Sequence, residues 1–182
     1  MDPNALIVDI GGGNGQHSMR LGRKFPGMSF IVQDHVSVIE GAQNIFPEST
    51  TGRIQWQAQD MFSPQQVEGA SIYLLSHVLM DHSNSDCATM IKNISNVMAP
   101  GISRILVHDF VDPGRDEYAS PFLNSLDLHM IASLNGFSRS YQDWLDLFCS
   151  ADPRLSLQRF CKGPKNSAVF ELLLLDVGLH VI

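Results

Sequence analysis

Asp9-x-Gly11-x-Gly13-x-Gly15 follows directly on the apolar residues Ile7, Val8 and Ile10, and Asp34 stands further along, after a second apolar run. Glycines at this spacing let a chain turn sharply, take positive φ and admit a ligand where a Cβ would otherwise stand. A carboxylate roughly 20 residues past such a turn, at the end of the next strand, can accept hydrogen bonds from both hydroxyls of a ribose. Together they predict a site for a nucleoside-bearing cofactor. The dinucleotide form of the turn needs a third glycine where Gln16 or Ser18 stands, which counts against a nicotinamide cofactor. His17, His35 and His180 lie in no carboxylate or cysteine pattern that ligates a metal, and none is assigned. Cys87, Cys149 and Cys161 are odd in number and too widely spaced for a disulfide framework or a zinc pair.

The elements that must carry these residues alternate between strand and helix, the signature of βαβ units and a parallel sheet covered on both faces. Strands are expected at 5–10, 29–33, 53–57, 70–75 and 102–107. Helices are expected from Gly15 to about Phe25, where Pro26-Gly27 stops the first, then at 36–46 with Val36, Ile39 and Ile45 as the apolar spacing, and at 86–98. In the last third, 122–134 and 141–148 read as helices, while 155–160 and 168–175 read as a closing antiparallel pair. The fold expected is a doubly wound, mostly parallel Rossmann-like α/β sheet ending in an antiparallel strand pair.

The 182 residues, 44% apolar and 17% charged, suit one domain over 1–182. A net charge of -7 without any Lys/Arg cluster argues against a nucleic-acid partner, because phosphate binding needs a basic footprint. The longest apolar stretch, around Leu172 to Leu175, is far shorter than the roughly 20 residues of a membrane helix. The first strand begins too early to leave room for a signal peptide, so a cytoplasmic protein is expected.

The glycine motif resembles the first motif of class I S-adenosylmethionine-dependent methyltransferases. Further segments are similar to the caffeate-type O-methyltransferases, especially their fungal secondary-metabolism branch, and occur in that family's order: Val32 to Val36, Gln59 to Phe62, Tyr73 to Asp81, Arg104 to Asp109, and Ser138-Arg139-Ser140 with Asp143-Trp144. The resemblance covers nearly the whole chain and implies S-adenosyl-L-methionine as cofactor. It implies a cofactor-binding set of Asp9, Gly11, Gly13, Asp34, His35, Asp60, Met61 and Ser76, with Asp34 on the ribose, Asp60 and Met61 flanking the adenine and Gly11 along the methionine moiety. Taken alone, Asp60 would cap a turn and Met61 would be core; their place after the third strand favours the cofactor.

Methyl transfer to a phenol wants a base, since a phenol with a pKa near 10 is about one part in a thousand ionised at pH 7. The family's base is the histidine of a His-Asp-Trp segment, and this chain reads Met80-Asp81-His82 there. Asp109 matches the family's first supporting acid, whereas Ser138 occupies the position of the second. His77, one helical turn before Met80 if the segment coils, and His82 are the substitute bases, so the catalytic candidates are His77, His82 and Asp109. Met80, Asp81 and His129 are the candidates for contact with an aromatic or polyketide-type substrate.

Three functions stay open on these residues: O-methylation of a phenolic or enolic secondary metabolite, a pericyclic, cyclisation or elimination step beside a retained cofactor, and a catalytically dead cofactor-binding module. The resemblance implies an N-terminal dimerisation and lid domain that these 182 residues do not include, so the sequence is expected to be a fragment of a longer chain, the alternative being a domain that works alone or with a partner chain supplying the lid. Without such a lid the helices at 122–134 and 141–148 would expose apolar surface, and association, as a homo-oligomer or with another chain, is expected.

Overall fold

The computed structural model describes residues 4–45, 52–113, 125 and 138–176. β1 (Leu6–Ile10) has four of its five residues buried, as a strand must when helices cover both faces of a parallel sheet. α1 (Gln16–Lys24) starts on the left-handed Gly15 and ends at Phe25, with Arg23 and Lys24 in the last turn complementing the negative end of its dipole. β2 (Ser29–Asp34), α2 (Val36–Ile45), β3 (Ile54–Ala58) and β4 (Ile72–Ser76) follow. A 3₁₀ turn, Leu79–Asp81, leads into α3 (Asn84–Ser95), whose cap Ser83 accepts from the Asp86 amide at 3.3 Å. β5 (Arg104–Asp112), β6 (Arg139–Ser140), α4 (Tyr141–Ala151), β7 (Leu155–Lys162) and β8 (Ser167–Leu174) complete the described elements.

The main sheet runs β3-β2-β1-β4-β5-β8-β7. β1 to β5 are parallel; β8 pairs antiparallel with both β5 and β7, the closing hairpin expected from the sequence. Strand order reverses between β1 and β4, and the crevice at the carboxyl ends there is where an open α/β sheet takes its ligand. On one face α3 and α4 pack Met90, Ile91, Ile94, Trp144, Leu147 and Phe148 onto the sheet. On the other, α1 and α2 cover Ile7, Phe30, Val32 and Trp56.

Three expectations need correction. The buried stripe of α2 is Ile39 and Ala42, while Val36 and Ile45 are 49% and 64% exposed; the apolar spacing marked the helix but misplaced its inner face. β5 continues past 107 to Asp112, because the alternation of buried Ile105, Val107, Asp109 and Val111 runs through a carboxylate that finds backbone partners in the core. The helix expected at 141–148 does not expose an apolar side: Trp144, Leu147, Phe148 and Ala151 of α4 are buried, and Tyr141 is its one exposed large hydrophobic residue. The helix expected at 122–134, with His129, lies outside the described residues.

Candidate functional site

Gly11 and Gly13 both take positive φ, 67° and 60°, at the carboxyl end of β1. They are glycine for different reasons. A Cβ on Gly11 would stand 2.8 Å from Val78 Cγ2, so β4's extension closes directly on the turn. A Cβ on Gly13 would meet nothing within 4 Å, so its side of the turn is open. The Gly13 amide donates to Asp34 Oδ2 at 2.9 Å and the His35 amide to Oδ1 at 2.7 Å. Each Asp34 oxygen thereby keeps a second lone pair while the carboxylate is fixed beside the turn. Asp9 lies beneath: it is buried against Gly12, accepts from Ser18 Oγ at 2.6 Å, and has its pKa raised by burial. It thus supports the turn from beneath.

The loop after β3 closes the neighbouring side. Asp60 accepts from the Phe62 amide and from Ser63 Oγ, each at 3.0 Å, and so caps its own turn. Met61 Cε lies 3.6 Å from where a Gly11 Cβ would be, which places the thioether arm on the glycine turn. His35 is exposed, with Nδ1 3.1 Å from Ser37 Oγ. A glutamine network that the sequence did not reveal holds this loop: Gln33 and Gln65 exchange bonds of 2.9 and 2.8 Å, and Gln33 Nε2 also reaches Gln57 Oε1 at 2.9 Å. Among the described residues, the buried side-chain polar atoms without a hydrogen-bond partner are Trp56 Nε1, Gln59 Oε1 and His77 Nδ1. All flank this crevice: Trp56 Nε1 is 3.3 Å from where a Gly15 Cβ would stand, Gln59 precedes Asp60, and His77 precedes Val78. Orphaned polar atoms around an open glycine turn fit a polar ligand seated there.

Beyond β4 the chain carries Met80 on its 3₁₀ turn. The Met80 amide donates to Asp109 Oδ2 at 3.1 Å and the Phe110 amide to Oδ1 at 2.9 Å. Asp109 is fully buried, and burial pushes its pKa up to about 7 despite those two bonds. Arg139, also fully buried, grips the same turn from its other side. Its guanidinium donates to Leu79 O at 2.9 Å, His82 O at 2.8 Å and Asn84 Oδ1 at 2.8 Å, and lies 5.1 Å over the Trp144 ring. The sequence marked Arg139 only as part of a motif; partners more than fifty positions away left no local signal.

The histidines separate. His77 is not one helical turn before Met80: its φ is 56° and its amide donates to His108 O at 2.8 Å, which continues the β4–β5 ladder and keeps it at the sheet edge. Its ring lies 4.4 Å from that of His108 and 5.0 Å from that of Phe110. Burial, then the neighbouring His108, lowers its pKa to about 4. Ser76 Oγ is 3.0 Å from His108 Nδ1. His82 stands at the opposite end of the turn, edge-on to Phe62 at 5.4 Å, and Asp81 is half-buried. No group of three or more His, Cys, Asp or Glu side chains among the described residues is placed to hold a metal ion, and no described helix is long and apolar enough to cross a membrane.

A glycine turn at the sheet's switch point, with an acid at the end of β2, defines a Rossmann-like domain of the nucleoside-cofactor-binding class. The family model described as O-methyltransferase domain matches residues 1–152, and the chain belongs to that family. It is 41% identical over 176 residues to "O-methyltransferase xanE" of Aspergillus fumigatus, covering 93% of this chain and 41% of that protein. A solved structure described as "A Pericyclic Reaction enzyme" superimposes with a TM-score of 0.83 at 30% identity, over 94% of this chain and 43% of that one. "The structure of LepI complex with SAM" matches with the same TM-score, identity and coverage. The chain thus spans 41% of the length of the first relative and 43% of the other two.

Proposed function

We propose that this chain binds S-adenosylmethionine on the Gly11–Gly15 turn and transfers its methyl group to an oxygen of a small phenolic or enolic molecule. The observation that carries the reading is the Gly13–Asp34 bond beside an open face of the turn, which fixes a carboxylate with free lone pairs next to the turn, where it could take the hydroxyls of a ribose. Bound there, the cofactor supplies a methyl group on a positively charged sulfur. Asp34 would accept hydrogen bonds from the ribose hydroxyls, Asp60 and Met61 would flank the adenine, and Gly11 with Val78 would line the wall along the tail. Asp109 and Arg139 hold the turn that presents Met80 and Asp81 to the acceptor. His82 receives the acceptor's proton, because a base with a pKa of about 4, as burial makes His77, recovers little of the roughly 4 kcal/mol that ionising a phenol costs at neutral pH.

A second reading is favoured by one residue. Met80 cannot accept a proton, and a bound cation can also stabilise negative charge developing on a carbonyl without any methyl transfer. Likeness to a protein described as a pericyclic reaction enzyme supports a rearrangement or cyclisation of that type. Mass spectrometry of a phenol and enol panel incubated with methyl-labelled cofactor separates the two. Label in the product, slowed at least tenfold by His82→Ala, is the expected result. A product of unchanged mass establishes the second reading, and labelled product at an undiminished rate in the variant removes His82 from the mechanism.

A further inference from the structure

We infer that His77 and His108, with His17 of the first turn of α1 adding to their electrostatic surroundings, form a carboxylate-recognition site that selects the amino-acid tail of the cofactor; this rests on the cofactor reading above. The pairing of β1, β4 and β5 sets Ile10 beside Leu75 and Ser76 beside His108, so His77 and the Gly11 turn leave the sheet at the same edge. The contact a Gly11 Cβ would make with Val78 shows how closely the residue after His77 approaches that turn. The two imidazoles meet at 4.4 Å, and His108 Nδ1 is already matched with Ser76 Oγ at 3.0 Å. That leaves the His108 Nε2 edge and the orphaned His77 Nδ1 as polar groups without an assigned protein partner among the described residues.

His77 keeps a left-handed backbone that a glycine would take without strain, and its buried nitrogen gains no protein hydrogen bond in return. His17 acts electrostatically on both rings. It sits in the first turn of α1, which has no side-chain cap and no acidic residue, so the positive end of the helix dipole faces the same crevice. Imidazole N–H groups and an uncapped helix start suit an anion. Burial that keeps His77 neutral has a further consequence: it can donate a hydrogen bond without placing a second positive charge beside the sulfonium.

Calorimetry with two probes tests this: S-adenosylhomocysteine, and its decarboxylated analogue, which keeps the amine and lacks only the carboxylate. The wild-type chain is expected to bind the first at least tenfold more tightly. His108→Phe and His77→Asn should each reduce that ratio below threefold while leaving the affinity for the decarboxylated probe within twofold. Nitrogen chemical shifts of the His17, His77 and His108 rings provide a readout on the unaltered protein, and should move with the first probe and stay still with the second. Equal affinities in the wild type, an undiminished ratio in the variants, or ring shifts indifferent to the carboxylate would overturn the inference. Failure of both probes to bind well-folded wild type overturns the cofactor reading instead.

Discussion

Met80 stands where the family resemblance expects a histidine, and the backbone beneath it is anchored independently of its side chain. Because the Met80 amide is held by Asp109 at 3.1 Å, exchanging the side chain leaves the turn in place. Met80→His is therefore expected to raise methyl transfer by about 100-fold, the lower range of what a positioned base contributes. Single-turnover rates with labelled cofactor check it, and an unchanged rate means that a base is not what limits transfer. Asp109 carries its own pH signature. Its pKa is about 7 folded against 3.8 for a free side chain, so the folded state holds an extra proton between those values and stability falls as pH rises through that window. His77 acts oppositely over pH 4 to 6.5, since its depressed pKa makes the unfolded chain the better proton acceptor there. The informative quantity is therefore a difference: Asp109→Asn, uncharged throughout, should lessen the loss of stability between about pH 4 and 7 by on the order of 2 kcal/mol relative to wild type, read from urea midpoints. Parallel pH profiles would show that Asp109 is ionised across the whole range. At this scale the placement of Gly11, Gly13 and Asp34 was legible in the sequence, because a turn type and a strand end are fixed locally. Arg139 and the glutamine network were not, because their roles exist only once distant segments meet.

The elements repeat that division. Strands with continuous apolar runs and helices bounded by Pro and Gly could be read directly, and the mostly parallel, doubly wound arrangement came with their alternation. The inner face of α2 and the true length of β5 could not, since each depends on what the neighbouring element supplies. Asp109 interrupts an apolar pattern in the sequence, but in the fold it receives two backbone N–H groups and lets the strand continue. The Leu79–Asp81 turn is the clearest case of an element held by distant parts: Asp109 of β5 takes one side and Arg139 of β6 the other. An Arg fork reaches the Leu79 and His82 carbonyls together, which a lysine ammonium on a flexible stem does not reproduce. Arg139→Met should cost about 3 kcal/mol in urea unfolding through the unsatisfied carbonyls it leaves, and Arg139→Lys should recover less than half of that. Full recovery by lysine would mean that charge, and not the fork, holds the turn.

Across the whole molecule, two apolar layers lie on opposite faces of one sheet, and the glycine turn sits where β1, β2 and β4 leave both of them. A ligand bound at that edge stabilises the folded domain by mass action, whatever reaction follows. S-adenosylhomocysteine at about a hundredfold excess over its dissociation constant adds about 2.7 kcal/mol, which in a domain of this length raises Tm by roughly 5–10 °C. Asp34 couples the turn to the sheet, for its carboxylate joins the Gly13 amide to the first amide beyond β2, and in the proposed function it also holds the ribose. Asp34→Ala should lower the ligand-free Tm by only a few degrees, because the freed amides lie at a partly exposed edge where water replaces the lost bonds. The same change should remove most of the ligand-induced rise. Differential scanning calorimetry with and without ligand measures both. A rise that survives in Asp34→Ala takes the ribose away from this carboxylate, and no rise in the unaltered chain takes the cofactor away from the glycine turn.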